Sequence, residues 1–288
     1  MIGQISDISG LGARSSYKVE NYYRELVRQL NPYKVEIYYR KIGRLDEAIK
    51  VWKEYANREV AKKNFDLAAI ACEHIAEIYR ELGESEEAEK HYEMAGKLYV
   101  KAAMVYLGEY REIVEGSIAK EWEFLFESAA RVYRSAGKKE KEKEVWKTMV
   151  EMLKQQAEIR LVGIPTYEDF HDAIIFYKKI ADIYENKLKD PEKAEEAWAT
   201  IVELKLRSIN YEPLSLPELD KKLDAIIKMY EEKVKDPKKA KKILKTWEEV
   251  IEEEIKKGKE EKYAHYRAAR LREALSKIYK KFDEGKRK

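Results

Sequence analysis

Along nearly the whole chain, apolar residues return at intervals of three and four, the spacing that puts them on one face of an α-helix. The last segment is a clear case. Ala264, Ala268, Leu271, Leu275, Ile278 and Phe282 fall at i, i+4, i+7, i+11, i+14 and i+18, and charged residues fill the positions between them. Sustained alternation of apolar and polar residues, the mark of a half-buried strand, does not occur. The pattern therefore predicts helix after helix.

Turn chemistry divides the helices. Asn31-Pro32 breaks the first from the second. Gly43, Gly83 and Gly137 each stand just past a helix end, where a left-handed residue closes the last turn and glycine has no Cβ to object. Asp190-Pro191 and Asp236-Pro237 predict helix starts, with Asp as cap and Pro at the first helical position. Ser215-Leu-Pro-Glu218 reads as a capping box, and Thr166 with the acids after it as a weaker one. Residues 1–16 (MIGQISDISGLGARSS) hold three glycines and four serines without a helical period. They predict an irregular tail ahead of a helical domain over 17–288, with a lobe division near 208–215. Gly10 and Gly12 form a GxG with no strand before it, which is no phosphate loop.

The helices repeat. Tyr39, Tyr79, Tyr133, Tyr184, Tyr230 and Tyr279 recur at spacings of 40, 54, 51, 46 and 49 residues, a period that indicates stacked helical units. From Tyr79 onward each comes directly after an apolar residue. The residues beyond each tyrosine repeat as well. Tyr39-x3-Gly43-x4-Ala48-x3-Trp52 returns as Tyr79-x3-Gly83-x4-Ala88-x3-Tyr92, and Tyr133-x3-Gly137 is followed by Trp146. The fourth and fifth copies lengthen the turn by one residue (IYENKLKDPEKAEEAW and MYEEKVKDPKKAKKIL).

This motif resembles the tetratricopeptide repeat over about residues 33–284, most closely at 72–95. Ala76, Ala130 and Ala181, three before the tyrosine, match the family's close-contact positions. The longer period resembles the long-helix arrays of soluble NSF attachment proteins and implies helices of about 20–27 residues. The resemblance implies an all-α fold, a right-handed solenoid of about 12 antiparallel paired helices. It also implies a concave groove lined by residues six before, two before and one after each tyrosine. On this chain those positions include Glu73, Glu77 and Arg80, then Glu127, Arg131 and Arg134. Lys178, Lys228 and Lys277 occupy them further on. Arg80, Arg131 and Arg134 are the candidates for gripping a carboxylate, because guanidinium binds one bidentately. The asparagine-containing carboxylate clamp of chaperone-binding members is not reproduced.

Composition narrows the chemistry. Charged residues make up 39% of the chain and apolar residues 44%, with 58 basic against 55 acidic side chains. A core can form, and overall charge makes no case for nucleic acid. Residues 235–288 depart from this balance, with 19 basic and 11 acidic residues. That end could attract nucleic acid or an anionic membrane surface, or be a solvated Lys/Glu face. One cysteine, Cys72, excludes an intrachain disulfide and reads as a buried, inert thiol. The four histidines form no metal-ligand spacing. His171, among Glu168, Asp169 and Asp172, could bind a metal or transfer a proton, or simply belong to an acidic first helical turn. Trp52, Trp146 and Trp198 share a repeat position and predict core. Trp122 and Trp247 lie outside it and are either core or binding anchors.

No nucleotide-binding or nucleophile motif appears, and no cofactor or metal is expected. No apolar run approaches the roughly 20 residues of a membrane span, and no secretory signal pattern opens the chain. The expectation is a cytoplasmic, non-enzymatic scaffold that binds a peptide or helix of a protein partner. The alternatives are an adaptor for nucleic acid or anionic lipid, and a ligand-binding regulator. Only four Gln and six Asn stand beside abundant Lys and Glu, a skew of hyperthermophile proteins.

Overall fold

In a computed structural model of the chain, residues 32–109, 118–212, 214–257 and 264–285 are described. The expected tail over 1–16 lies outside them. Among the described residues there are eleven α-helices and no strand. They are α1 (Pro32–Lys41), α2 (Leu45–Ala61), α3 (Phe65–Glu81), α4 (Ser85–Glu109), α5 (Ile118–Ser135), α6 (Lys139–Arg160), α7 (Tyr167–Asp182), α8 (Pro191–Ser208), α9 (Leu216–Lys233), α10 (Pro237–Lys257) and α11 (Ala264–Gly285). The chain is an all-α helical repeat of the solenoid class: among the described residues α1 packs on α2, α2 on α3, α3 on α4 and α4 on α5 in the first unit, and α7 on α8, α8 on α9 and α10, and α10 on α11 in the second.

The repeat tyrosine closes those turns with its own carbonyl. Gly43 (φ 70°), Gly83 (φ 79°) and Gly137 (φ 71°) are all left-handed. In each case the residue after the glycine donates its N–H to the tyrosine carbonyl: Arg44 to Tyr39, Glu84 to Tyr79 and Lys138 to Tyr133, all at 2.9 Å. This is the six-residue closure of a Schellman motif. The α2–α3 turn has the same geometry without a glycine. Lys63 sits at φ 66°, and Asn64 donates to the Glu59 carbonyl at 2.9 Å. The buried Glu59 side chain holds the turn together, accepting from Asn64 Nδ2 at 2.8 Å and Lys62 Nζ at 3.1 Å. The absent glycine is why this break does not show in the sequence. α2 and α3 are 17 residues each, shorter than the 20–27 expected, because this copy has the shortest spacing of the repeat. Two 17-residue helices with their turns fill the 40-residue spacing from Tyr39 to Tyr79.

The lengthened fourth copy takes a different route. After α7 the backbone widens into a π-helical segment, Ile183–Leu188, ending at left-handed Lys189 (φ 56°). Asp190 then donates to the Tyr184 carbonyl at 2.9 Å. The tyrosine carbonyl keeps its closing role while the loop absorbs one extra residue. Asp190 accepts from Lys193 N at 3.1 Å with Pro191 at the first helical position, and Thr166 with Asp169 forms a reciprocal capping box before α7.

The chain divides into two compact units, Met1–Val145 and Trp146–Lys288, with the boundary inside α6. In the first, Tyr39, Trp52, Ile75, Ile78 and Phe126 are fully buried, and Ala68, Ala69, Ala76, Ala129 and Ala130 let helices approach closely. Trp122 is buried and meets Phe126 edge-on at 5.9 Å. In the second, Leu206, Ile209, Leu219, Ile243, Trp247 and Leu271 form one apolar cluster. Trp247 Nε1 donates to the Leu271 carbonyl at 3.1 Å. Trp122 and Trp247 are therefore core residues. Residues 208–215 lie within the second unit, where Arg267, also buried, donates Nη2 to the Ile209 carbonyl at 2.7 Å.

Candidate functional site

The first unit carries an open cavity of about 590 Å³. The register of three helices builds it. On α3, Asp66, Ile70, Glu73, His74 and Glu77 recur at helical spacing and share one stripe. On α5, Glu121, Phe124, Leu125, Ser128 and Arg131 do the same. Tyr99 and Tyr106 of α4, one heptad apart, and Tyr33 of α1 complete the wall. Phe124 is 64% exposed, so its ring offers apolar surface at the cavity wall.

Glu73 organises the middle of the cavity. Arg131 grips its carboxylate with both terminal nitrogens, Nη2 to Oε2 at 3.0 Å and Nη1 to Oε1 closer still. The Tyr99 hydroxyl donates to Oε2 at 3.1 Å. Burial, and then the Glu73 charge, push the Tyr99 phenol well above its ordinary pKa, so it remains a hydrogen-bond donor. The bond to Glu73 keeps Arg131 firmly charged.

A second polar cluster backs one wall. The Glu36 carboxylate, 6% exposed, accepts from Trp52 Nε1 at 2.8 Å and from Arg40 Nε at 2.6 Å. His74 Nδ1 lies 3.2 Å from Glu36 Oε2, though not in hydrogen-bond alignment. The His74 ring stacks on Trp52 at 4.4 Å with 4° between planes, and Tyr33 meets His74 edge-on at 4.8 Å. Burial alone would raise the Glu36 pKa. The opposing contacts of His74, Arg40 and Trp52 outweigh it and bring the carboxyl down to about 2.

The sequence-predicted residues divide between paired and unpaired. Glu73, Glu77 and Arg131 line the cavity together. Arg131 is occupied by Glu73. Arg134 is occupied by Glu142, with Nε to Oε1 at 2.9 Å. Arg80 lies 6.0 Å over the Tyr92 ring, and Glu127 is exposed beyond the cavity. Two of the three arginines expected to grip a partner's carboxylate thus hold carboxylates of their own chain. In the second unit, Lys178 is exposed and Lys228 lies 3.9 Å from Glu232. The Lys277 side chain lies outside the described residues. Of the His171 cluster, Asp169 serves the capping box and Asp172 lies 3.6 Å from Arg160. Among the described residues no group of His, Cys, Asp and Glu is placed to hold a metal. Cys72 is buried, and burial lifts its thiol to about 11.

Sequence reasoning missed Tyr33, Asp66, Tyr99, Tyr106, Glu121 and Phe124. One signal was present: Tyr92, Tyr99 and Tyr106 recur every seven residues along α4. The partners of that stripe come from other helices and leave no local trace.

No family model matches the chain, and no curated protein matches it. Among solved structures it is similar to the de novo designed helical repeat protein DHR64, at 16% identity over 93% of this chain and 97% of that one, with a TM-score of 0.22. The filaments DHF119 and DHF58 are similar at 18% and 19% identity. They cover 92% and 84% of this chain and 96% and 95% of theirs, both with a TM-score of 0.21.

Proposed function

We propose that this chain is a non-enzymatic protein-interaction scaffold, and that its first unit engages a partner at the α1–α3–α4–α5 cavity. The observation that carries this reading is the cavity itself: a formed hollow with an exposed phenyl ring at its wall and carboxylates around it. Scaffolds of stacked helices place binding residues on one face, and exposed aromatics in concave sites are frequent anchors. The tetratricopeptide resemblance favours the same face. A cytoplasmic setting accords with the chain, in which no described helix is long and apolar enough to cross a membrane.

The alternative, an adaptor for acidic surfaces through the basic C-terminal end, has less in its favour. Lys242 pairs with Glu203 at 3.0 Å and Arg270 with Glu273 at 3.1 Å, so part of that charge is already neutralised.

The test is affinity capture from the source organism with quantitative mass spectrometry, using wild type and Phe124→Asp as baits. The reading expects partners lost selectively from the variant bait while its helical circular dichroism is unchanged. Identical capture by both baits refutes it.

A further inference from the structure

We propose that the first-unit cavity is a site for an extended organic polycation, meaning two or more alkylammonium groups carried on methylene stems. The proposal takes only the location of the site from the scaffold reading. Four carboxylates line the cavity (Asp66, Glu73, Glu77 and Glu121) against one guanidinium, Arg131, which Glu73 already holds. Among the described residues no cation pairs with Asp66, Glu77 or Glu121. The lining therefore has a strong excess of negative charge that a ligand can neutralise.

Geometry decides what kind of cation fits. A metal ion needs its oxygens converged at bonding distance, and no described cluster is so arranged. Asp66 and Glu77 stand eleven residues apart on α3, roughly 16 Å along the axis at 1.5 Å per residue. One compact cation cannot satisfy both. A flexible chain bearing several charges can. The material between the carboxylates is apolar: Ile70, Leu125, Phe124 and the tyrosine rings. Methylene stems bury against such walls while their ammonium groups reach the carboxylates, and aromatic faces add cation–π attraction. A volume of about 590 Å³ lies in the range of small-molecule and peptide-segment sites.

This chemistry has two sources, a free polyamine or neighbouring lysine side chains of a partner peptide. About five extended residues span 16 Å, so alternate lysines of such a segment could meet α3's carboxylates in turn.

The experiment is isothermal titration of the full chain at low salt. The titrants are spermine, a lysine-alternating pentapeptide, its glutamate counterpart, and magnesium chloride at matched ionic strength. Binding of either ammonium ligand, with no heat from the glutamate peptide and little from magnesium, supports the proposal. The arm that binds identifies the source. Asp66→Asn, Glu77→Gln and Glu121→Gln are near-isosteric and should each weaken binding by up to ~5-fold, the scale of a partly exposed ion pair. The triple variant should weaken it by at least tenfold. Phe124→Ala should weaken it without altering charge. Circular dichroism confirms that each variant folds. Failure of both ammonium ligands to bind, wild-type binding by the triple variant, or equal competition by magnesium overturns the proposal. Spermine binding with no captured protein would refute the scaffold reading and leave this one standing.

Discussion

Gly96 tests how the first unit is packed. It is a buried glycine inside α4, where glycine usually costs about 1 kcal/mol relative to alanine. Propensity alone predicts that Gly96→Ala stabilises. The tertiary structure predicts the opposite. A Cβ built there would lie 2.6 Å from both Cε2 and Cζ of Tyr133 and 3.0 Å from Cδ2. Carbon atoms pack at about 3.5–4.0 Å, so the ring must withdraw by about 1 Å. Tyr133 is 5% exposed and has little room to move. Overpacking of this kind costs about 1–3 kcal/mol. The propensity gain of about 1 kcal/mol offsets part of that, leaving a net loss of up to about 2 kcal/mol. Gly108, in the same helix, is the internal control, because a Cβ added there would meet no atom within 4 Å. Gly108→Ala should be neutral or stabilising by under ~1 kcal/mol, because helix ends feel propensity less. Urea unfolding followed by circular dichroism at constant m-value reads both. A Tyr133→Leu background removes the ring atoms in question, and there Gly96→Ala should turn neutral or favourable, giving a positive coupling in the double-mutant cycle. If Gly96→Ala raises the midpoint as Gly108→Ala does, the close contact of Tyr133 on α4 is not a constraint and this packing account is refuted.

Three other sites give measurable outcomes. Lys63→Gly should stabilise by about 0.5–1 kcal/mol, since it relieves a left-handed lysine while adding some freedom to the unfolded chain; a drop in the urea midpoint would contradict this. Glu36 has a folded pKa of about 2 against an ordinary 4.5, so its contribution is fully present above about 4.5 and is lost as pH falls toward 2. Glu36→Gln should flatten that limb of the stability–pH curve, and an unchanged acid limb would show that the His74, Arg40 and Trp52 contacts do not favour the ionised form. Arg267→Met should cost about 1–3 kcal/mol by leaving the buried Ile209 carbonyl without its Nη2 donor. Amide exchange should rise first around 209–212; uniform protection would place the arginine's role elsewhere.

How much of this could be read in advance depends on how local each feature is. The closing turns after Tyr39, Tyr79 and Tyr133 were legible because a left-handed residue leaves a glycine at a set distance from the tyrosine. The turn at Lys63 was not, because Glu59 and Asn64 hold the same geometry without glycine. The capping boxes at Thr166 and Ser215 were legible because cap and partner lie three residues apart. The π-helical segment beginning at Ile183 was visible only as one extra residue. Three of the groove residues implied by the repeat, Glu73, Glu77 and Arg131, share the cavity. Their pairing was invisible, because Glu73 and Arg131 stand 58 residues apart.

The sequence by itself determined the helices, their repeat and most of their ends, since these depend on periodicity and on chemistry within one turn of the chain. Only the tertiary structure decided that Arg131 and Arg134 are already occupied, that Trp122 and Trp247 are core, that Gly96 must remain small, and that α3 and α5 enclose a net acidic hollow. Each of those facts depends on which side chains from distant helices meet. That is set by how helices pack, and nothing in the local pattern encodes it.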